Sequence, residues 1–328
     1  MPRILSGIQP TGAVHLGNYI GAFSRWAREQ QPEHFFFLAD LHALTLPIDP
    51  VQLRLKTIDA ACWLLAAGLD PDVCTLFVQS QVPEHTQLSW ILECTATMGE
   101  AGRMTQFKDK GQGRDSVSVG LFTYPILQAA DILLYQADEV PIGDDQRQHV
   151  ELTRDIAQRF NRRYGETFTV PAPTFPTVGA RIMDLQQVDK KMSKSAESMQ
   201  GVILLDDDEA TTRKKMMRAV TDSGSEVRAA PGKRGITNLL DIMAAVTGSE
   251  VAALEHAYQG KGYGDFKAGI AEAVNAFLRP VRERHAELAA DPCAVQDILA
   301  KDASKAREVA ARTVEVVYER VGLLPPLP

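Results

Sequence analysis

The sequence predicts an α/β fold: a doubly wound parallel sheet with a second, all-helical domain on its C-terminal side. Three observations carry this. Short apolar runs of strand length alternate with helix-period segments through the first half of the chain. The runs are continuously apolar, as strands covered on both faces by helices must be. From about Asp206 strand-like runs stop, and long amphipathic helical patterns follow.

In chain order, "RILSG" (Arg3–Gly7) is the first short strand, ending in glycine. "HFFFLADL" (His34–Leu41) is a buried strand. "VQLRLKTIDAACWLLAAG" repeats apolar residues at Ile58, Ala61, Cys62 and Leu65, a helical spacing, and stops at Gly68. "TLFVQS" (Thr75–Ser80) is the next strand. "YPILQAAD" (Tyr124–Asp131) reads as a helix with Pro125 in its first turn. A further helix opens near Gly143–Gln146 and ends near Gly165. Beyond Asp206, "SEVAALEHAYQG" is expected to be capped by Ser249 and stopped by Gly260, and two longer helical patterns follow it. We expect residues 1–188 to form a Rossmann-like domain with a helical insertion at about 105–170. Residues 189–290 would hold a lysine-rich loop and the helical domain, and residues 291–328 a C-terminal helix packed back on the first domain.

Composition narrows the function. A chain of 328 residues, 45% hydrophobic and 23% charged, is long enough for two domains and has globular composition. A net charge of −7 argues against a general nucleic-acid coat protein, while local basic patches such as "RKKMMR" (Arg213–Arg218) leave room for a specific RNA partner. No run has the length of a membrane span, and "MPRILSG" has no signal-peptide h-region, so a cytoplasmic location is the expectation. The four cysteines form no CxxC pair and have no histidine at ligand spacing, so we expect reduced thiols, no zinc and no iron–sulfur cluster. No complete G-x-G-x-x-G occurs. "GQGRDS" lacks the third glycine and no strand precedes it, which counts against a nicotinamide enzyme.

Two stretches point to phosphate chemistry. "SGIQPTGAVHLGNYIGA" (Ser6–Ala22) starts where the first strand ends and turns into a helix near Leu16 or Gly17. A helix N-terminus at the carboxyl end of a strand suits phosphate, and Gly17 permits close approach. His15 and Asn18, three residues apart, share one side of that turn. "DKKMSKSAES" (Asp189–Ser198) crowds three lysines and three serines into one loop. A charge run alone is usually a solvated face.

Together the two stretches resemble the HIGH and KMSKS signatures of the class I aminoacyl-tRNA synthetases. Lys191-Met192-Ser193-Lys194-Ser195 matches the second in full, while Asn18 stands where the first has its final histidine. "SGIQPTG", "RMTQFKDK", "VPIGDDQRQHVELTRDIAQRFN", "GARIMDL" and "AVTDS" resemble the bacterial tryptophanyl branch over essentially the whole chain. The resemblance implies activation of tryptophan by ATP with Mg²⁺, transfer to tRNA-Trp, and a homodimer with no membrane association. It makes Gln9, His15, Asn18, Lys191, Ser193 and Lys194 the catalytic set. ATP would also meet Pro10, Thr11, Gly17, Gly143, Asp144, Asp145, Ile182, Met192, Ser195 and Lys110. Tryptophan would meet Asp131, Tyr124, Gln128, His42, Gln146, Leu5, Gly7 and Val140. The helical domain would read the anticodon.

The amino-acid pocket also has a physical reading. Helical spacing puts Tyr124, Gln128 and Asp131 on one face. A carboxylate in an apolar pocket can accept the indole N–H, which only donates. The chain departs from several bacterial members, with Gln128 in place of methionine and Leu5 in place of phenylalanine. A Tyr–Gln–Asp face also resembles the tyrosine-binding helix of tyrosyl-tRNA synthetases, which makes tyrosine the rival substrate. Against tyrosine, "GDDQ" replaces their "GSDQ"-type sequence, and Met192-Ser193 replaces their Phe-Gly pair. A paralogue that binds tRNA without charging it is the third reading.

Overall fold

The computed structural model describes residues 2–104, 117–143, 146–175, 182–193 and 198–324. Within them, five strands form one sheet: β1 (Ile4–Ile8), β2 (His34–Leu38), β3 (Thr75–Val78), β4 (Glu139–Pro141) and β5 (Ala172–Thr174). Their spatial order is β3-β2-β1-β4-β5, and every pairing is parallel. This is the doubly wound arrangement expected from the alternating pattern. The chain runs outward from β1 to β2 and β3, then crosses back to lay β4 on the other side of β1.

Side chains alternate across the sheet and feed two apolar layers. Phe36 and Leu38 of β2 join Leu16, Tyr19, Phe23 and Trp26 on one face. Phe35 and Phe37 join Leu5, Phe77 and the buried side of the Val119–Leu134 and Arg147–Tyr164 helices on the other. The first layer does not stop at the sheet. It runs through Ile182, Met192 and Ile203 into Ile236, Leu239, Phe266 and Leu278 of the C-terminal helices. At the same junction His285, on the Tyr263–Ala290 helix, stacks on Trp63 at 3.6 Å and reaches Asp59 at 2.8 Å. Burial pushes the Cys62 thiol up to about 11 and the Cys74 thiol up to about 12, so both stay protonated. Among the described residues no helix is long and apolar enough to cross a membrane.

Local signals explain most boundaries. Asp49 accepts the Gln52 N–H and Pro50 opens the Pro50–Ala66 helix, which gives way to Gly68 at a φ of +103°. Three expectations need correction. The Val119–Leu134 helix begins at Ser118, whose side chain accepts the Leu121 N–H, so Pro125 lies inside it rather than in its first turn. Glu250, not Ser249, is the N-cap of Val251–Ala257. The span 105–170 contributes β4 to the sheet, so it is not a purely helical insertion. A three-residue strand that ends in proline carries no alternation to read.

The 30-residue helix Pro292–Val321 covers β3, one of the two edge strands. Asp302, fully buried there, accepts the Leu76 N–H at 2.8 Å, and Lys305 Nζ lies 2.7 Å from its other oxygen. Thr313 donates to the Leu134 carbonyl at 2.7 Å. An unpaired edge is a template for aggregation, and a carboxylate that takes its N–H closes it. Asp302→Ala leaves that N–H buried without its acceptor. We expect a loss of about 1–3 kcal/mol in urea unfolding, largely restored by Asp302→Asn, which keeps an acceptor oxygen.

Candidate active site

The cleft forms where β1 and β4 part. β1 pairs with β2 along its whole length but with β4 only at Ile4↔Glu139. Beyond that pair the strands diverge at the point where strand order reverses, the place where open α/β sheets bind ligands. A cavity of about 490 Å³ opens there. Leu5, Gly7 and Gln9 line it from β1 and its exit, Val140 and Gly143 from β4 and its exit, and Asn18, His42, Tyr124, Gln128, Asp131 and Gln146 from the surrounding helices. Gly7 is required by its neighbour: a Cβ there would lie 2.6 Å from the Phe37 ring.

The first motif forms a reciprocal cap. His15 Nδ1 accepts the Asn18 backbone N–H at 3.3 Å, and Asn18 Oδ1 accepts the His15 backbone N–H at 3.2 Å. The neutral His15 ring therefore carries its proton on Nε2, and Asn18 keeps its amide nitrogen as donor. Gly17 lies under the His15 ring, where a Cβ would come within 3.1 Å of Nδ1. His15 is buried and holds the turn, whereas Gln9 and Asn18 line the cleft. Pro10 is buried and Thr11 half-buried in the same turn.

The second motif leaves the core on a closed hairpin. Met183 and Lys191 form an antiparallel bridge, and Met192 N–H donates to the Ile182 carbonyl at 3.0 Å. Leu185 N–H donates to Gly201 O at 2.9 Å, which ties the far end of the loop to its start. Asn238, buried on the Arg234–Thr247 helix, takes the Met183 N–H at 2.9 Å and donates to the Met183 carbonyl at 3.0 Å. One turn earlier on that helix Arg234 pairs with Asp189. Met192 is buried, Ser193 half-buried and Lys191 exposed.

The segments before and after the second motif reach the first. Leu16 N–H donates to Ile203 O at 2.8 Å and Leu205 N–H to Val14 O at 2.9 Å. A Cβ on Gly17 would lie 3.8 Å from Ile182 Cβ. Lys110, Asp144, Asp145, Lys194 and Ser195 lie outside the described residues.

Deeper in the cleft, Asp131 is 1% exposed. Its Oδ1 accepts from Gln79 Nε2 at 2.7 Å and His85 Nδ1 at 2.6 Å, and its Oδ2 from His42 Nε2 at 2.7 Å. Burial alone would raise this carboxyl. His42, by charge and hydrogen bond, and His85, by hydrogen bond and charge, outweigh burial and hold it down at about 2. Tyr124 meets His149 Nε2 through its hydroxyl at 2.8 Å, and burial pushes its phenol up to about 12. Gln128 reaches Gln146 at 3.4 Å.

Gln79, His85 and His149 were not legible in the sequence. Gln79 immediately follows β3, a strand end where ligand-side residues gather. His85 sits one helix start further on, with no spacing relation to Asp131. The site can hold a flat apolar side chain with one N–H donor at its deep end, and phosphate groups at its mouth.

Comparison with known proteins agrees with this reading. The family described as "tRNA synthetases class I (W and Y)" matches residues 1–279. A Streptomyces avermitilis protein named tryptophan–tRNA ligase 2 is 56% identical, over 99% of this chain and 98% of its own length. A Leifsonia xyli tryptophan–tRNA ligase is 54% identical, over 99% and 98%. The tryptophanyl-tRNA synthetase of Mycoplasma pneumoniae superposes with a TM-score of 0.87 at 37% identity, covering 99% of this chain and 98% of that one. That of Campylobacter jejuni, solved with ADP and tryptophan, gives 0.85 at 36%, over 98% and 100%. The Archaeoglobus fulgidus tyrosyl-tRNA synthetase, at 0.67 and 20% identity, shares the fold.

The hairpin can be tested without substrate. A Cβ on Gly201 would lie 1.8 Å from Asp184 Oδ1, which accepts the Gln186 and Gln187 N–H groups at 2.7 and 2.9 Å. Gly201→Ala must break that turn, and a loss of about 1–3 kcal/mol in urea unfolding is expected. Gly264→Ala is the control, because its methyl meets nothing within 4 Å, and it should gain about 0.5–1 kcal/mol in its helix.

Proposed function

The chain belongs to the class I tRNA synthetases for tryptophan and tyrosine, and from that premise we infer the step each part of the cleft performs. The protein is a tryptophan–tRNA ligase. It joins L-tryptophan to ATP as tryptophanyl-adenylate with release of pyrophosphate, then transfers the tryptophanyl group to the terminal ribose of tRNA-Trp. The observation that carries the substrate assignment within the site is the buried, ionised Asp131 with an acceptor position to spare. A tyrosine phenol also donates, so the carboxylate alone does not separate the two amino acids. The relatives named for tryptophan, at 48–56% identity over nearly the whole chain, favour tryptophan.

In the proposed activation step, Asp131 receives the indole N–H while Tyr124, Gln128 and Gln146 frame the amino acid. The substrate carboxylate is already a nucleophile and needs no general base. Its oxygen bonds to the α-phosphorus as the bond from that phosphorus to the bridging oxygen breaks, and the electron pair leaves with pyrophosphate. Rate then depends on alignment and on neutralising the leaving charge. Gln9 and Asn18 are placed to donate at the mouth of the cleft, with Gly143 nearby for the ribose side. Lys191, with Lys194 after it, supplies positive charge to the departing phosphates. Mg²⁺ enters as the partner of ATP, whose phosphates offer it oxygen ligands. Because tRNA and ATP are its substrates, we place the enzyme in the cytoplasm.

We also propose a homodimer. Leu44, Trp90, Met98 and Val119 are 59%, 67%, 77% and 77% exposed. Of these, Leu44 and Trp90 line a second cleft of about 390 Å³ that shares Tyr124 with the first. An apolar face of this kind fits an isologous contact that backs onto the amino-acid pocket.

The test is amino-acid-dependent ATP–pyrophosphate exchange. Tryptophan should support it, and phenylalanine should fall at least about a thousandfold lower in kcat/KM, because it leaves the carboxylate without a donor. Exchange with tyrosine in place of tryptophan would overturn the assignment. Lys191→Ala should lower kcat while the tryptophan KM stays within about twofold.

A further inference from the structure

We propose that His85 is a positioning residue for amino-acid selection: with Tyr135 behind it and Gln79 beside it, it fills Asp131 Oδ1 and leaves Oδ2 as the oxygen that meets the substrate. The proposal rests on the reading that Asp131 receives the indole N–H.

His85 is fully buried and lies outside the cleft lining. An ionised carboxylate only accepts, so His85 Nδ1 and His42 Nε2 must both carry protons toward it. Tyr135, also fully buried, meets His85 Nε2 through its hydroxyl at 2.9 Å, and when the imidazole is neutral its O–H donates there and fixes that tautomer. Phe37 and Phe77 pack against the His85 ring, with centroids 6.0 and 5.9 Å away, and hold its plane.

A carboxylate has about four acceptor positions, two per oxygen. Among the described residues Oδ1 takes two donors, Gln79 and His85, and Oδ2 takes one, His42. The remaining position is therefore on Oδ2, the oxygen beside His42, and His42 lines the cleft. The carboxylate is thus turned before substrate arrives, and binding pays less to order it. The same donors keep the group ionised in a dry site. The titratable groups facing it are His42 from the turn after β2, His85 from the helix after β3, and, behind His85, Tyr135 from one turn along its own helix. Burial, with Asp131 and Glu84 nearby, keeps the Tyr135 phenol well above its ordinary value, so Tyr135 remains a donor.

The experiment measures ATP–pyrophosphate exchange by the full-length enzyme at pH 5.5 and pH 8 for His85→Leu, His85→Asn and Asp131→Asn. Leucine removes the donor to Oδ1, whereas the asparagine amide occupies the Nδ1 position and restores it. His85→Leu should raise the tryptophan KM about tenfold with a much smaller change in kcat and in the ATP KM. It should also narrow the preference for tryptophan over phenylalanine. The KM rise should be larger at pH 5.5, because Asp131 with one donor fewer is protonated more readily. The ratio of tryptophan KM at pH 5.5 to that at pH 8 should be larger for His85→Leu than for wild type or His85→Asn. Should the leucine variant fail to fold, His85→Gln serves, because its amide lies near the Nε2 position and withdraws the donor from Oδ1. If His85→Leu or His85→Gln keeps wild-type tryptophan KM and selectivity while Asp131→Asn loses them, the positioning role is wrong and the indole reading stands. Unchanged selectivity in Asp131→Asn overturns both.

Discussion

β1 is hydrogen-bonded to β2 throughout and to β4 at one position, and the binding cleft follows from that asymmetry. Had the sheet zipped shut along β1 and β4, the backbone from Leu5 to Gln9 would be spent on strand pairing. Because it parts after Ile4, the substrate space lies between two rigid strands instead of among loops. Rigid walls suit a reaction whose catalysis is mostly alignment. They also explain why Gly7 must lack a side chain: Phe37 of the next strand occupies the space a Cβ would need.

The mouth of the cleft, proposed above to take the phosphates, has a different construction. Neither motif is anchored by its own residues alone. The first is bonded to the segment that returns from the second, through Leu16 with Ile203 and Leu205 with Val14. The start of the second is gripped by Asn238 from the helical region. One apolar layer continues through all three, from Phe36 to Phe266. Sheet, motifs and C-terminal helices therefore share packing, and a shift in the helices must be felt at Met183 and Lys191.

What could be read beforehand followed from local chemistry. The apolar runs of β2 and β3, the Gly68 and Gly165 stops and the two phosphate motifs are each contained within a few consecutive residues. The single face of Tyr124, Gln128 and Asp131 was also legible, because helix periodicity fixes it. The partners of Asp131 were not. His42, Gln79 and His85 come from segments after two different strands and converge only through the sheet. β4 was missed because three residues carry no period, and Pro125 was misplaced because the real cap, Ser118, stands six residues before Tyr124.

In the proposed function the buried carboxylate of Asp131 reads the indole through a single N–H. The most direct measurement is kcat/KM for tryptophan against its benzothiophene analogue, in which sulfur replaces the indole N–H and the shape is nearly kept. A loss on the order of a thousandfold or more is expected, because the open position on Asp131 then has no donor. A loss of less than about tenfold, the scale of a small fit difference, would mean that shape selects the amino acid and that the carboxylate does not read the indole nitrogen.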